Sequence, residues 1–231
     1  MWVLWSVYVC LAIVVNIGFG DGPPAQGKAS ARVEHMLSKM TLEDKVGQMT
    51  QLDMSLFVPA STGVLDEEKL QDWLTRFRVG SLFNTPYAGA PGSLTAQEWR
   101  RIIRRCQQIA GGVGSKIPLL IGLDSVHGAN YVEGSVLFPH QIALAATFNV
   151  EMSRTSGRVA ARDTRAAGIP WIFSPILGIA TQPLWPRVYE TFGEDPFLVS
   201  QMGVAMVEGI QTSLKGGDDG EPLKAAACMK V

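Results

Sequence analysis

Polar, chemically active side chains follow directly on an apolar run at residues 117–128, whose sequence is IPLLIGLDSVHG. The apolar part predicts a buried strand, and Asp124, Ser125 and His127 come immediately after it. A carboxylate at such a strand end can accept two hydrogen bonds from neighbouring hydroxyls of a ligand, and an imidazole can donate or accept one. Two other interpretations stay open. Asp124 could cap a helix or pair with an arginine, and His127 could be a loop histidine that hydrogen-bonds to the backbone.

A second stretch, residues 182–196 (QPLWPRVYETFGEDP), combines aromatic rings with charges after another predicted strand. Trp185 and Tyr189 could stack on the apolar face of a sugar ring. Hydrogen bonds to sugar hydroxyls could come from four charged side chains, Arg187, Glu190, Glu194 and Asp195. The alternative is a buried ion-pair network that braces a long loop, and for Glu194 and Asp195 we favour that alternative.

Predicted helices and strands alternate along the chain around these two stretches. Apolar spacing predicts helices at residues 31–40, 66–77, 95–110, 150–167 and 196–210, with another helix starting after Thr41. Asn149 and Asp195 are predicted N-caps, and Gly168 is predicted to close the helix at 150–167. Short apolar runs predict strands at residues 79–83, 117–123, 171–177 and 225–229.

Apolar strands separated by amphipathic helices predict an α/β fold with a parallel sheet that is covered on both faces. The candidates are an open doubly wound sheet and a closed barrel. Neither Gly-x-Gly-x-x-Gly nor a P-loop sequence follows a strand, which weakens the nucleotide-binding forms of the open sheet. We therefore predict a partial (β/α)8 TIM-type barrel, roughly its first half, in which Asp124 lies at the mouth formed by the strand carboxyl ends.

The composition argues against several kinds of site. With a net charge of −1 and no basic stripe interleaved with aromatics, the chain offers no surface for nucleic acid. His35, His127 and His140 have no histidine or cysteine neighbours at metal-ligand spacing, so we expect no metal and no cofactor. Whether Cys106 pairs with Cys228 is left open.

The first 20 residues are mostly apolar and carry no charged side chain. Gly18 and Gly20 fit a signal-peptidase site, and Pro23 and Pro24 then end any helix. We expect a signal peptide at residues 1–20 and a secreted protein. The alternative is an uncleaved anchor, which would be the only contact with a membrane. A leader at residues 21–30 and an incomplete barrel domain at residues 31–231 would follow.

Several motifs, in this order and spacing, resemble the N-terminal domain of glycoside hydrolase family 3, especially its β-glucosidase branch. They are MTLEDKVGQMT (residues 40–50), IPLLIGLDSVHG (117–128), FPH (138–140), YETFGEDP (189–196) and AACMK (226–230). The resemblance covers the chain from about residue 30 onward. It implies a barrel domain, a β-glucoside or β-glucan oligosaccharide as substrate, and cleavage by retaining double displacement.

By the same resemblance, the family's glucose-binding residues fall on Asp124, Arg187 and Lys230. Two cations and one carboxylate can hold a nonreducing sugar through charge-assisted hydrogen bonds, so the three form a binding set and not a catalytic one. Two positions depart from the family's pattern. Pro186 stands where the family usually has glycine, which puts the loop geometry in doubt, and Lys230 is followed by Val231 where the family has histidine.

The family's nucleophilic aspartate and acid/base glutamate are expected beyond Val231, so no catalytic residue is assigned here, and Glu190 and Glu194 are not promoted to that role. We therefore expect a truncated piece of a glycoside hydrolase, inactive by itself and prone to aggregate because half a barrel leaves strand edges unpaired. Two alternatives remain open: the β-N-acetylhexosaminidase branch of the family, and a noncatalytic sugar-binding or regulatory protein. The sequence points to no particular protein partner.

Overall fold

The computed structural model describes residues 28–59, 63–84, 94–212 and 224–230. The predicted signal or anchor at residues 1–20 lies outside these ranges, as does most of the predicted leader at 21–30. Of the helices in the described ranges, none is both long enough and apolar enough to cross a bilayer.

The described strands form one parallel sheet. They are β1 (Gln51–Asp53), β2 (Ser81–Phe83), β3 (Leu120–Leu123), β4 (Trp171–Ile172) and β5 (Ala226–Ala227). Each strand pairs with the next one in the chain, so the spatial order is β1-β2-β3-β4-β5. A doubly wound sheet reverses its order at a switch point, whereas a barrel adds each new strand on the same side. The predicted α/β fold of the partial TIM-barrel type is confirmed.

The described helices around this sheet are α1 (Lys28–Lys39), α2 (Leu42–Gln48), α3 (Glu67–Arg76), α4 (Ala96–Gly112), α5 (Gln141–Ala145), α6 (Val150–Ala166) and α7 (Pro196–Gln211). Five of them, α2, α3, α4, α6 and α7, begin at a side chain that caps the helix. Thr41 with Asp44 and Thr95 with Glu98 form capping boxes at α2 and α4. In each box the threonine side chain accepts an amide hydrogen bond and the acidic side chain accepts another in return.

Three predicted helix boundaries are confirmed at the level of single residues. The Asn149 side chain accepts a hydrogen bond from the amide of Glu151 at 3.0 Å, where α6 begins. Asp195 caps α7 in the same way, and Pro196 takes the first helical position, where no amide hydrogen is needed. Gly168, just after α6, has a φ of 87°, which glycine adopts without a steric penalty.

Strand lengths and two short elements differ from the sequence prediction. The run at 171–177 pairs regularly only over β4, and Pro175 has no amide hydrogen with which to continue the ladder. The sequence pattern does not predict β1 or α5, because three and five residues carry too little periodicity. Helix α1 begins at Lys28, three residues before the predicted start.

Two apolar clusters hold the helices against the sheet. One packs α3 and α4 on β1 to β3 and contains Trp99, whose indole nitrogen donates to the carbonyl of Tyr131 at 2.9 Å. The other packs α6 and α7 on β4 and β5, with Phe192 buried among them. Helices α6 and α7 cross closely, because a Cβ added at Gly209 would lie only 2.1 Å from the carbonyl oxygen of Arg154.

Candidate functional site

Asp124 and Lys230 meet at the carboxyl edge of the sheet. Asp124 directly follows β3, and Lys230 lies three residues after β5. The ammonium of Lys230 donates a hydrogen bond to Oδ1 of Asp124, and the two side chains are 28% and 26% exposed. Backbone hydrogen bonds fix the lysine, since its amide donates to Pro175 at 3.0 Å and its carbonyl accepts from Leu177 at 2.8 Å. Both charges are therefore held in place and still accessible to solvent.

Arg187 pairs with Glu190 across a short 3-10 helix, Val188–Glu190. Its guanidinium donates two hydrogen bonds to the same oxygen of Glu190, Oε2, and the one from Nε is 3.0 Å long. These hydrogen bonds raise the pKa of Arg187 against the opposing effect of burial, and the charges of Glu190 and Asp124 raise it further. The charge of Asp124 therefore acts on Arg187 and links the two ion pairs electrostatically.

Glu190 completes a group of two cations and two carboxylates. Burial alone would raise the pKa of Glu190, but the hydrogen bond and charge of Arg187 and the charge of Lys230 more than offset it. Its pKa therefore lies below the ordinary value, and Glu190 is ionised at neutral pH. We call Asp124, Arg187, Glu190 and Lys230 the charge cluster.

Two histidines and a tyrosine lie next to the charge cluster with their rings in contact. The ring centroids of His127 and His140 are 4.3 Å apart, and Tyr189 meets His140 edge-on at 4.8 Å. Nδ1 of His127 lies 3.0 Å from the carbonyl oxygen of Phe138. Of the alternatives for His127, the structure thus shows the histidine that bonds to the backbone. We call His127, His140 and Tyr189 the ring stack.

The ion-pair network that we favoured for Glu194 and Asp195 is wrong. Gly193 has a φ of 107°, a conformation that favours glycine, and the two carboxylates that follow it are exposed. Asp195 caps α7, and within the described ranges neither carboxylate takes part in a salt bridge. Local capping therefore decides the geometry at the start of α7. The ion pair in residues 182–196 is the one between Arg187 and Glu190.

Three further residues near the strand ends are not predicted from the sequence. Asp53 ends β1 and Asn84 follows β2, and the side-chain amide of Asn84 donates to Oδ2 of Asp53 at 3.3 Å. Asn84 could have been identified by the signal that identified Asp124, a polar residue directly after an apolar strand, whereas Asp53 lies in a strand too short to be predicted. Burial raises the pKa of Tyr131, and the charges of Asp124 and Glu190 raise it further. No spacing in the sequence marks this tyrosine.

A buried glutamine supports the segment to which Lys230 is attached. Gln141, at the start of α5, donates to the carbonyl of Ile176 at 2.7 Å and accepts from its amide at 3.1 Å. Ile176 in turn forms an isolated parallel bridge with Lys230. Buried backbone groups need such partners, so Gln141 fixes the loop after β4 and, through it, the backbone of the lysine.

The charge cluster offers hydrogen-bond donors on Arg187 and Lys230 beside acceptors on Asp124 and Glu190. This arrangement suits a neutral polyol, because every hydroxyl can both donate and accept.

In the part of the chain that the structure describes, no group of three His, Cys, Asp or Glu side chains is placed to hold a metal ion. Burial raises the pKa of the free thiol of Cys106 to about 12, so this residue stays protonated and is not a nucleophile.

The sequence of the chain matches that of known carbohydrate-active proteins over most of its length. The profile described as "Glycosyl hydrolase family 3 N terminal domain" matches residues 41–227, a range that includes Asp124 and Arg187 and ends before Lys230. The lysosomal beta glucosidase of Dictyostelium discoideum is 43% identical over 201 residues, which are 85% of this chain and 24% of that protein. The periplasmic beta-glucosidase of Salmonella typhimurium is 32% identical over 201 residues, covering 87% of this chain and 23% of the relative.

The fold matches a solved structure as well. The exo-1,3/1,4-beta-glucanase from a Pseudoalteromonas species superposes with a TM-score of 0.69 at 30% identity, covering 87% of this chain and 24% of that one. The chain therefore spans about a quarter of the length of the relatives that it matches.

Proposed function

Because the chain belongs to glycosyl hydrolase family 3, through that family's N-terminal domain, we propose that its charge cluster binds the nonreducing glucose of a β-glucoside. The contact between Asp124 and Lys230 carries the proposal. It joins residues 106 positions apart at the strand ends, where barrel enzymes bind their substrates. The whole protein would be a β-glucosidase-like hydrolase of O-glycosyl bonds that works by retaining double displacement.

In this proposal Asp124 accepts hydrogen bonds from two neighbouring hydroxyls, while Lys230 and Arg187 donate to sugar oxygens. Each of these bonds is charge-assisted and therefore stronger than one between neutral groups. Before the sugar arrives, Asp124 holds the ammonium of Lys230 and Glu190 holds the guanidinium of Arg187. The long side chains are thus already ordered, which reduces the entropy lost on binding.

The charge cluster is proposed to hold the sugar and not to cleave it. A retaining hydrolase needs one carboxylate that attacks and a second carboxyl that donates a proton, about 5 to 5.5 Å apart. Arg187 keeps Glu190 ionised, so Glu190 is a poor proton donor at neutral pH. Glu194 is exposed next to the start of α7. We therefore give neither glutamate a catalytic role.

Titration of the whole chain with glucose tests the proposed site. Asp124→Ala and Arg187→Ala should each weaken binding about tenfold or more in calorimetry, since each removes hydrogen bonds to a charged group that are worth about 1.5 to 3 kcal/mol. Asp72→Ala and Arg76→Ala are matched controls, because they break an exposed ion pair on α3 and should bind like wild type. Equal affinity in site and control variants, or no glucose binding by a folded wild-type chain, would reject the proposal.

Two readouts separate the remaining functions. Tighter binding of N-acetylglucosamine than of glucose would favour the β-N-acetylhexosaminidase branch of the family. We expect the isolated chain to bind glucose without hydrolysing an aryl β-glucoside, because the residues assigned here only position the sugar. If the isolated chain hydrolyses this substrate and Asp124→Ala abolishes the activity, the chain also contains the catalytic carboxylates.

We also propose that residues 1–20 are a cleaved signal peptide, followed by a leader at 21–30 and the barrel domain at 31–231. The apolar composition of the first 20 residues supports export, as do the compartments in the names of the lysosomal and periplasmic relatives. N-terminal sequencing of the exported protein should find Asp21 as its first residue. An intact first segment in the membrane fraction would favour the anchor instead.

A further inference from the structure

The ring stack joins three separate parts of the chain next to the charge cluster. His127 lies in the loop after β3, His140 is the N-cap of α5, and Tyr189 lies in the 3-10 helix. His140 is the middle ring, with centroids 4.3 Å from that of His127 and 4.8 Å from that of Tyr189. Its side chain makes no capping hydrogen bond to α5.

Tyr189 connects the ring stack to Arg187 through a single tight turn. The amide of Glu190 donates to the carbonyl of Arg187 at 3.0 Å, and the amide of Thr191 donates to Val188 at 3.1 Å. The side chains of Arg187 and Glu190 bridge the same turn. Tyr189 therefore lies in the same short turn as both of these charged residues.

The charge of His140 depends on a small set of neighbours. In the described part of the chain, the titratable groups that face it are His127 from the loop after β3 and Tyr189 and Glu190 from the 3-10 helix, while α5 itself has none. Burial lowers the pKa of His140, the charge of His127 lowers it further, and Glu190 opposes both. Since the ordinary value is about 6.5, His140 is neutral at neutral pH.

We propose that neutral His140 is a positioning residue for Arg187, and that its protonation in mildly acidic solution displaces this arginine and weakens glucose binding. A protonated His140 attracts Glu190, which is the carboxylate that holds Arg187. The binding part of this inference rests on the proposed function, while the structural part does not.

Two substitutions separate the shape of the middle ring from its charge. His140→Phe keeps an aromatic ring that cannot be protonated, so at about pH 7.5 it should bind glucose within about twofold of wild type. It should also lose the fall in affinity that wild type shows between about pH 7.5 and pH 5. His140→Ala removes the ring contacts and should bind about tenfold more weakly at both pH values. His35→Phe, at an exposed histidine of α1, is the matched control and should keep the wild-type pH profile.

Nuclear magnetic resonance provides a readout that needs no sugar. In wild type, the ring signals of Tyr189 should shift with the same midpoint as the His140 imidazole, below about pH 6.5, and His140→Phe should abolish that shift. The inference would be overturned if the Tyr189 signals do not change as His140 titrates, or if glucose affinity in His140→Phe has the same pH profile as in wild type. Coupled titration in a chain that does not bind glucose would support the role of His140 in the turn and reject the proposed function.

Discussion

Lys230 and Asp124 neutralise each other at the sheet edge while about a quarter of each side chain stays exposed. Solvent screens such a pair, so it contributes little to folding, about 0 to 1 kcal/mol. The same accessibility leaves both groups available to a ligand. If the proposed function is right, ligand affinity should depend on this lysine much more than stability does.

Lys230→Met keeps the length of the side chain and removes its charge. The free energy of unfolding in urea should change by less than about 1 kcal/mol, whereas glucose affinity in calorimetry should fall about tenfold. Lys69→Met on the exposed face of α3 is the control and should change neither quantity. A loss of more than about 2 kcal/mol of stability at unchanged affinity would show that the pair is structural.

Glu190 should make stability depend on pH in the acid range. Its pKa in the folded chain lies below the ordinary 4.5, so its ionised form stabilises the fold. That contribution is present above about pH 4.5 and is lost as pH falls through the folded-state pKa. The stability difference between wild type and Glu190→Gln should therefore shrink between about pH 5.5 and pH 3 in urea denaturation. Glu34→Gln on α1 is the control, and a constant difference for Glu190→Gln would contradict the prediction.

For single residues, the sequence predicts which side chains lie at the candidate site better than it predicts which groups they contact. Asp124 could be singled out because a carboxylate directly after an apolar strand is unusual, and its contact with Lys230 agrees with the predicted mouth. The pairing of Arg187 with Glu190 could not be predicted, because it depends on a 3-10 turn that no periodicity reveals. The electrostatic interaction of Tyr131 with Asp124 and Glu190 could not be predicted either, because no spacing in the sequence marks this tyrosine.

Helix α5 and the loop after β4 depend on each other through Gln141. Its side chain satisfies both backbone groups of Ile176, and all of these groups are buried. A side chain of similar size without polar atoms would leave a buried amide and a buried carbonyl without partners. Each orphaned group costs about 1 to 3 kcal/mol.

Gln141→Leu should therefore lower the free energy of unfolding by about 2 to 4 kcal/mol in urea denaturation. Glucose binding should weaken too, because Ile176 forms the bridge that fixes the backbone of Lys230. Gln71→Leu, at an exposed position of α3, is the matched control. If Gln141→Leu and Gln71→Leu have equal effects on stability, the support that we assign to Gln141 is absent.

Helix starts could be predicted more accurately than strand ends, for a physical reason. A cap such as Asn149 or Asp195 satisfies amides within its own turn, so the residues that decide the start of the helix are adjacent in sequence. A strand ends where its neighbour stops pairing, which depends on residues far away in the chain. The run at 171–177 therefore predicts a longer strand than β4.

The surface of the described part of the chain includes exposed apolar side chains on α1 and α2. These residues are Val33, Met36 and Leu37 on α1, and Leu42, Val46 and Met49 on or just after α2. In addition, β1 and β5 lie at the two ends of the described sheet. Apolar patches and sheet edges of this kind favour association between chains.

The isolated chain should therefore self-associate at micromolar concentration, as size-exclusion chromatography with light scattering would show. Leu42→Lys combined with Met49→Glu should shift the population toward monomer by placing charges on the patch. Leu184→Lys changes a leucine that is 88% exposed in a loop, and should have no effect. A wild-type chain that is monomeric at all concentrations would contradict this prediction.

The order of strands could be predicted because it follows from a general rule and not from individual contacts. Alternating helices and apolar strands imply parallel pairing, and the missing nucleotide-binding motifs favour a barrel over a doubly wound sheet. The sequence pattern does not show which helices leave apolar faces uncovered. The apolar side chains of α1, Val33, Met36 and Leu37, follow ordinary helix spacing, yet they are exposed in the structure.

Under the proposed function, the charge cluster also affects how fast a saccharide can arrive. Its two cations and two carboxylates cancel, so little net potential extends beyond a Debye length of about 8 Å at physiological ionic strength. A neutral saccharide should reach the mouth by ordinary diffusion, at a rate that added salt leaves unchanged, and charged derivatives should gain no electrostatic steering. Residence time, set by the hydrogen bonds that must break on departure, would then distinguish one saccharide from another.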